Sequence, residues 1–129
     1  VKRIVLAAVL ILTSWTLVDA LVHRFFLEAL YATSPTLWRP SSEINAWLVT
    51  IVSIGLVAVF VVAYSWLVRP KTLLNGLFFG SILGIGFGVA SGFGTYIHSP
   101  IPLSLAWAWV VLGTCKGVIA GAILGFLER

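Results

Sequence analysis

Gly76-Leu-Phe-Phe-Gly80-Ser-Ile-Leu-Gly84-Ile-Gly-Phe-Gly88-Val-Ala-Ser-Gly92-Phe-Gly94 carries a glycine at every fourth position from Gly76 to Gly92. On an α-helix that step builds a bare ridge turning about 40° each time. In water each glycine weakens a helix by roughly 1 kcal/mol. In a bilayer the backbone must satisfy its own hydrogen bonds, so the helix persists. The ridge then admits a second backbone at close range, as small-xxx-small packing does. Gly113, Gly117, Gly121 and Gly125 repeat the spacing in the last apolar stretch. The two ridges predict a close pair of spanning helices.

Composition agrees. Of 129 residues, 60% are hydrophobic and 9% charged, against about a quarter charged in a soluble domain. Lipid is therefore the expected solvent for most of the chain. The net charge of +4 sits at segment ends with no basic run, which argues against a nucleic-acid partner. The single cysteine, Cys115, excludes an internal disulfide and a four-cysteine metal site. Within an apolar helix it reads as a small buried residue.

The fold expected is all-α, an integral membrane bundle of four spanning helices in one domain, residues 1–129. The spans cover about 4–22, 44–67, 73–97 and 102–127, with an outer interfacial segment at 24–43. Lys2-Arg3 before an apolar run has the charge order of a signal peptide. The run exceeds a signal h-region and no small-x-small cleavage site follows it, so a retained span is expected. Residues 24–32 read either as a continuation of the first span or as a short interfacial helix. Ser41 or Ser42 is placed to cap the second span, with Glu43 in its first turn. Trp38, Tyr96, Trp107 and Trp109 fit an interfacial belt. Trp15 lies deeper and is a candidate for lining an interior pocket.

Four spans put both termini on one side. Lys2, Arg3, Arg69, Lys71 and Arg129 fall there, against Arg24 and Arg39 on the other. The excess predicts cytoplasmic termini in a bacterial inner membrane. Short turns after the second and third spans predict antiparallel neighbours, with the two glycine ridges facing each other.

Charges inside a span are costly and mark candidate sites. Asp19 and Lys116 are the two. Counted from the ends of their own spans, their backbones differ in depth by about 15 Å. Snorkelling of Lys116 toward the inner surface is the favoured outcome. A direct pair and a water-bridged polar cavity are the alternatives. A second group is Asp19, His23 and His98, which would suit a metal ion or a proton relay, or a haem between the two histidines. The plainer reading makes His23 interfacial and His98 a loop residue. No nucleophile elbow, zinc motif, Walker loop or Rossmann fingerprint is present, so no enzymatic activity is expected.

An acidic residue late in the first span, Trp38-Arg39-Pro40 in the outer segment and a glycine-rich second half resemble the plan of small four-helix bacterial inner-membrane proteins without an assigned role. Small fluoride channels and small multidrug transporters are similar in size. The polar motifs of the first are missing, as is the mid-membrane Glu of the second, so neither resemblance is adopted. The leading expectation is a non-enzymatic packing subunit or homo-oligomer. The alternative is a small transporter of protons, metal ions or a solute through Asp19, Lys116 and His98. A redox subunit using His23 and His98 ranks third. No cofactor is expected; the partners expected are the lipid bilayer and further membrane subunits.

Overall fold

The computed structural model describes residues 1–128; Arg129, counted above among the inner cations, lies outside them. Helix α1 (Lys2–Val22) passes through a π turn (His23–Leu27) into α2 (Glu28–Ala32). Two 3-10 turns follow, Pro35–Leu37 and Ser41–Glu43, and then α3 (Ala46–Leu67), α4 (Leu73–His98) and α5 (Leu103–Leu127). Residues 24–32 therefore continue the first helix. The resulting rod, Lys2–Ala32, has 31 residues and is about 46 Å long at 1.5 Å per residue. It exceeds a hydrocarbon core of about 30 Å, so its last turns stand beyond that core or the rod tilts.

This rod and α3, α4 and α5 are each long and apolar enough to cross a bilayer. The chain is all-helical among the described residues, with the character of a multi-pass membrane protein. The start of the second span moves from expectation. The second span begins at Ala46, because Ile44 and Asn45 are extended and Asn45 caps the helix by accepting from the Leu48 N–H at 3.1 Å. Ser41–Glu43 form a separate turn instead of a cap and first helical turn. Thr72 caps α4 by accepting from the Asn75 N–H at 3.1 Å.

The most extensive contact is between α4 and α5. A Cβ on Gly80 would lie 2.8 Å from the Gly121 Cα, and one on Gly84 would lie 2.9 Å from the Gly117 Cα. Gly76, Gly88, Gly92, Gly113, Gly117, Gly121 and Gly125 would likewise meet backbone across the seam. Gly55, Gly86 and Gly94 have nothing within 4 Å of such a Cβ. Only the fourfold-spaced glycines lie where a methyl would collide.

Helix α1 packs on both α5 and α3. The short 68–72 turn makes α3 and α4 sequence neighbours, yet their backbones touch little. They meet through rings, Phe60 with Phe79 at 6.1 Å and Tyr64 with Phe79 at 5.5 Å. Bulky side chains hold these two apart, where glycine lets α4 and α5 close up. One core cluster, including Ala7, Ile11, Phe60, Tyr64 and Leu124, fills the end near the termini. A smaller one, including Leu27, Ile101, Leu105 and Ala106, fills the other end. Cys115 is exposed, contrary to its reading as a buried residue. Gly113, Gly117 and Gly121 point into the seam, and residue 115 lies about 160° around α5 from Gly117's side.

Candidate functional site

Trp15, Asp19 and His23 step by four along α1 and share one face. That face looks into a cavity of about 390 Å³ between the helices. Leu56 and Phe60 of α3, Phe87 and Ser91 of α4, and Trp109, Leu112 and Lys116 of α5 complete its walls, with seam glycines between them. Gly84, Gly88, Gly113 and Gly117 line it where the backbones of α4 and α5 come together.

Asp19 and Lys116 meet directly. Lys116 Nζ donates to Asp19 Oδ2 at 2.7 Å. The favoured snorkelling outcome does not occur, because the depth count took each helix from its own border. Packing sets the register instead. The Trp15 indole N–H donates to the Lys116 carbonyl at 2.8 Å, which puts Trp15 level with Lys116 and Asp19 only about 6 Å further along. A lysine side chain spans that gap. Lys116 Nζ also lies 5.0 Å from the centre of the Trp15 ring, close enough for a cation–π contact. The ring is held edge-on by Phe60 at 5.1 Å.

The side chain of Asp19 stays 38% exposed and that of Lys116 20%. Asp19 Oδ1 has no hydrogen-bond partner among the described residues. The pair is therefore closed on one side and reachable on the other. Pairing is what makes both charges tolerable here, since a lone one at mid-helix costs about 2.5–3.5 kcal/mol on insertion scales.

A second polar group closes the cavity toward the α2 end. Trp109 Nε1–H donates to the Tyr31 hydroxyl at 3.0 Å, and that oxygen lies 2.5 Å from His23 Nδ1. The Tyr31 oxygen thus receives the Trp109 N–H and shares a hydrogen bond with His23 Nδ1, which links the three side chains. The π turn creates this contact. In a plain α-helix residues eight apart lie about 80° out of line. One extra residue in the turn makes the step behave as about seven, nearly two full turns. Tyr31 thus stacks on His23, ring centres 5.6 Å apart and 4° from parallel. Trp38 braces the pair, donating to the Tyr31 carbonyl at 3.1 Å.

Trp109 was expected in the interfacial belt. It is half-buried and turned inward against Tyr31 and Trp38. Trp107 and Tyr96 are exposed and flank Phe93, as belt residues would. His98 is exposed at the end of α4 and does not line the cavity. No group of three metal-capable side chains gathers among the described residues, so Asp19, His23 and His98 are not brought together as a candidate metal group. A polar cluster at the opposite end was missed. Glu128, its side chain 3% exposed, accepts from Lys71 at 2.6 Å and from Ser65 at 2.8 Å.

No protein-family model, curated protein or solved structure matches the chain.

Proposed function

We propose that this protein binds a small solute inside the membrane at the Asp19–Lys116 pair and passes it across, with no chemical step. One observation carries the reading: an ion pair, with a free carboxylate oxygen, on the wall of a cavity that is otherwise mostly aromatic, aliphatic and glycine, with His23 and Ser91 as its other polar side chains. Sites of this kind, mostly apolar with a few convergent polar groups, suit small ligands. Intramembrane ionisable residues facing a cavity mark solute or ion paths.

In this reading the glycine ridges of α4 and α5 act as a zipper that forms the stiff wall of the site. Trp15 and Phe60 are its floor, and Trp109, Tyr31 and His23 its lid. The packing-subunit or homo-oligomer reading calls for a bare ridge left over for another chain. All nine ridge glycines face backbone within this one, which weighs toward transport. The setting is a bacterial inner membrane with cytoplasmic termini, supported by Lys2, Arg3, Arg69 and Lys71 at one end against Arg24 and Arg39 at the other.

The test is flux into vesicles reconstituted with the purified protein, using benzyltrimethylammonium, benzenesulfonate, glycine betaine and inositol as probes. At least one should cross faster than in protein-free vesicles, and Asp19→Asn and Lys116→Leu should each abolish the difference. Flux that survives both substitutions, or none for any probe, overturns the proposal.

A further inference from the structure

The ligand's charge follows from which half of the ion pair can give way. Resting on the solute-binding reading above, we infer that the cavity selects a monovalent organic cation, and that the Lys116 ammonium is a tethered stand-in for it. In the resting site Lys116 Nζ occupies both positions such a ligand would want, 2.7 Å from Asp19 Oδ2 and 5.0 Å from the centre of the Trp15 ring. A carboxylate beside aromatic faces is the chemistry that recognises an alkylammonium group. Phe60 and Phe87, ring centres 5.9 Å apart, extend the same aromatic wall.

The two partners are not equally free to move. Asp19 has a short side chain on a helix fixed in register by the Trp15–Lys116 hydrogen bond. Lys116 carries four methylenes and can withdraw along α5. A cation that takes Asp19 leaves a mobile ammonium to find another place. An anion that takes Lys116 strands the Asp19 carboxylate beside a like charge in an apolar cavity, the costliest arrangement for a buried charge. The ring faces are electron-rich and add to this bias against anions. Indole N–H groups, the usual neutral donors for an anion, are both committed, Trp15 to the Lys116 carbonyl and Trp109 to the Tyr31 hydroxyl. On the cavity wall Asp19 Oδ1 is an acceptor that Lys116 leaves open. A positively charged amphiphile of modest size satisfies it, its head at Asp19 and its apolar part along Phe60, Phe87 and Leu112.

Calorimetric titration of the full chain in detergent micelles tests this with benzyltrimethylammonium and benzenesulfonate, matched in ring and opposite in charge. The cation should bind at least about tenfold more tightly. Asp19→Asn should lose it. Lys116→Gln, which removes the internal competitor, should tighten it about tenfold, and Lys116→Arg, which keeps a competitor, should not. Should Asp19→Asn fail to fold, the probe comparison and the Lys116 variants still decide. Equal or tighter binding of benzenesulfonate overturns the cation assignment and leaves the solute-binding reading standing. Should neither these two probes nor glycine betaine and inositol bind, both fall.

Discussion

The indole of Trp15 donates to the backbone carbonyl of Lys116 at 2.8 Å, across 101 positions of sequence. This bond fixes the axial register of the first helix against the last. Everything polar in the cavity depends on that register. One turn above it, Asp19 comes within reach of the Lys116 ammonium, and one turn further His23 meets Tyr31.

The seam between α4 and α5 should be intolerant of one methyl group. A Cβ on Gly80 would meet the Gly117 carbonyl oxygen and lie 2.8 Å from the Gly121 Cα, all of it backbone that cannot rotate away. Gly80→Ala should cost about 1–3 kcal/mol, the usual range for overpacking. Gly86→Ala, with nothing within 4 Å, should leave the midpoint of unfolding in mixed micelles unchanged. Equal effects of the two substitutions would contradict this packing.

Removing the Tyr31 hydroxyl should uncouple the lid from the cavity. Tyr31→Phe leaves Trp109 Nε1 and His23 Nδ1 without the partner they share. Loss of such a part-buried partner costs about 1–3 kcal/mol. Tyr96→Phe, on an exposed belt residue, is the control and should be silent. Thermal unfolding of the two variants side by side is sufficient.

At the end near the termini, Glu128 ties three segments together: the end of α3 through Ser65, the following turn through Lys71, and its own helix α5. Its side chain is almost fully covered. Glu128→Gln should therefore destabilise the chain by about 1–3 kcal/mol. The loss should be nearly the same at low and high salt, because a covered pair is poorly screened. A salt-sensitive or absent effect would mark the contact as a surface ion pair of little consequence.

The four apolar spans were legible because hydropathy and length suffice to recognise them, and most helix ends moved little, while the first helix runs on to Ala32. Asp19, Lys116 and Trp15 were legible as candidates because charge and aromatic bulk stand out inside a span. The meeting of Asp19 with Lys116 was not, since depth counted from helix ends cannot supply the register that Trp15 sets. Tyr31 was hidden for a different reason. Its alignment with His23 depends on a π turn, and the run His23-Arg-Phe-Phe-Leu27 carries no signal that distinguishes a π turn from α-helix. The Trp15, Asp19, His23 spacing was a usable signal that those three share a wall. Leu56, Phe60, Phe87 and Ser91 carry no such mark, because one apolar face of a lipid-bathed helix resembles another. Glu128 could have been found by asking which cation on the terminal side needs an acid, since the other three acidic residues lie elsewhere.

The most direct test is a double-mutant cycle on the ion pair. Unfolding free energies of Asp19→Asn, Lys116→Gln and the double variant would be measured in mixed micelles. Each single change strands one charge in the cavity, whereas the double change strands none. The pair described here predicts a coupling of about 0.5–3 kcal/mol, the double variant being less damaged than the sum of the singles. Effects that add to within about 0.3 kcal/mol would mean that Asp19 and Lys116 do not meet.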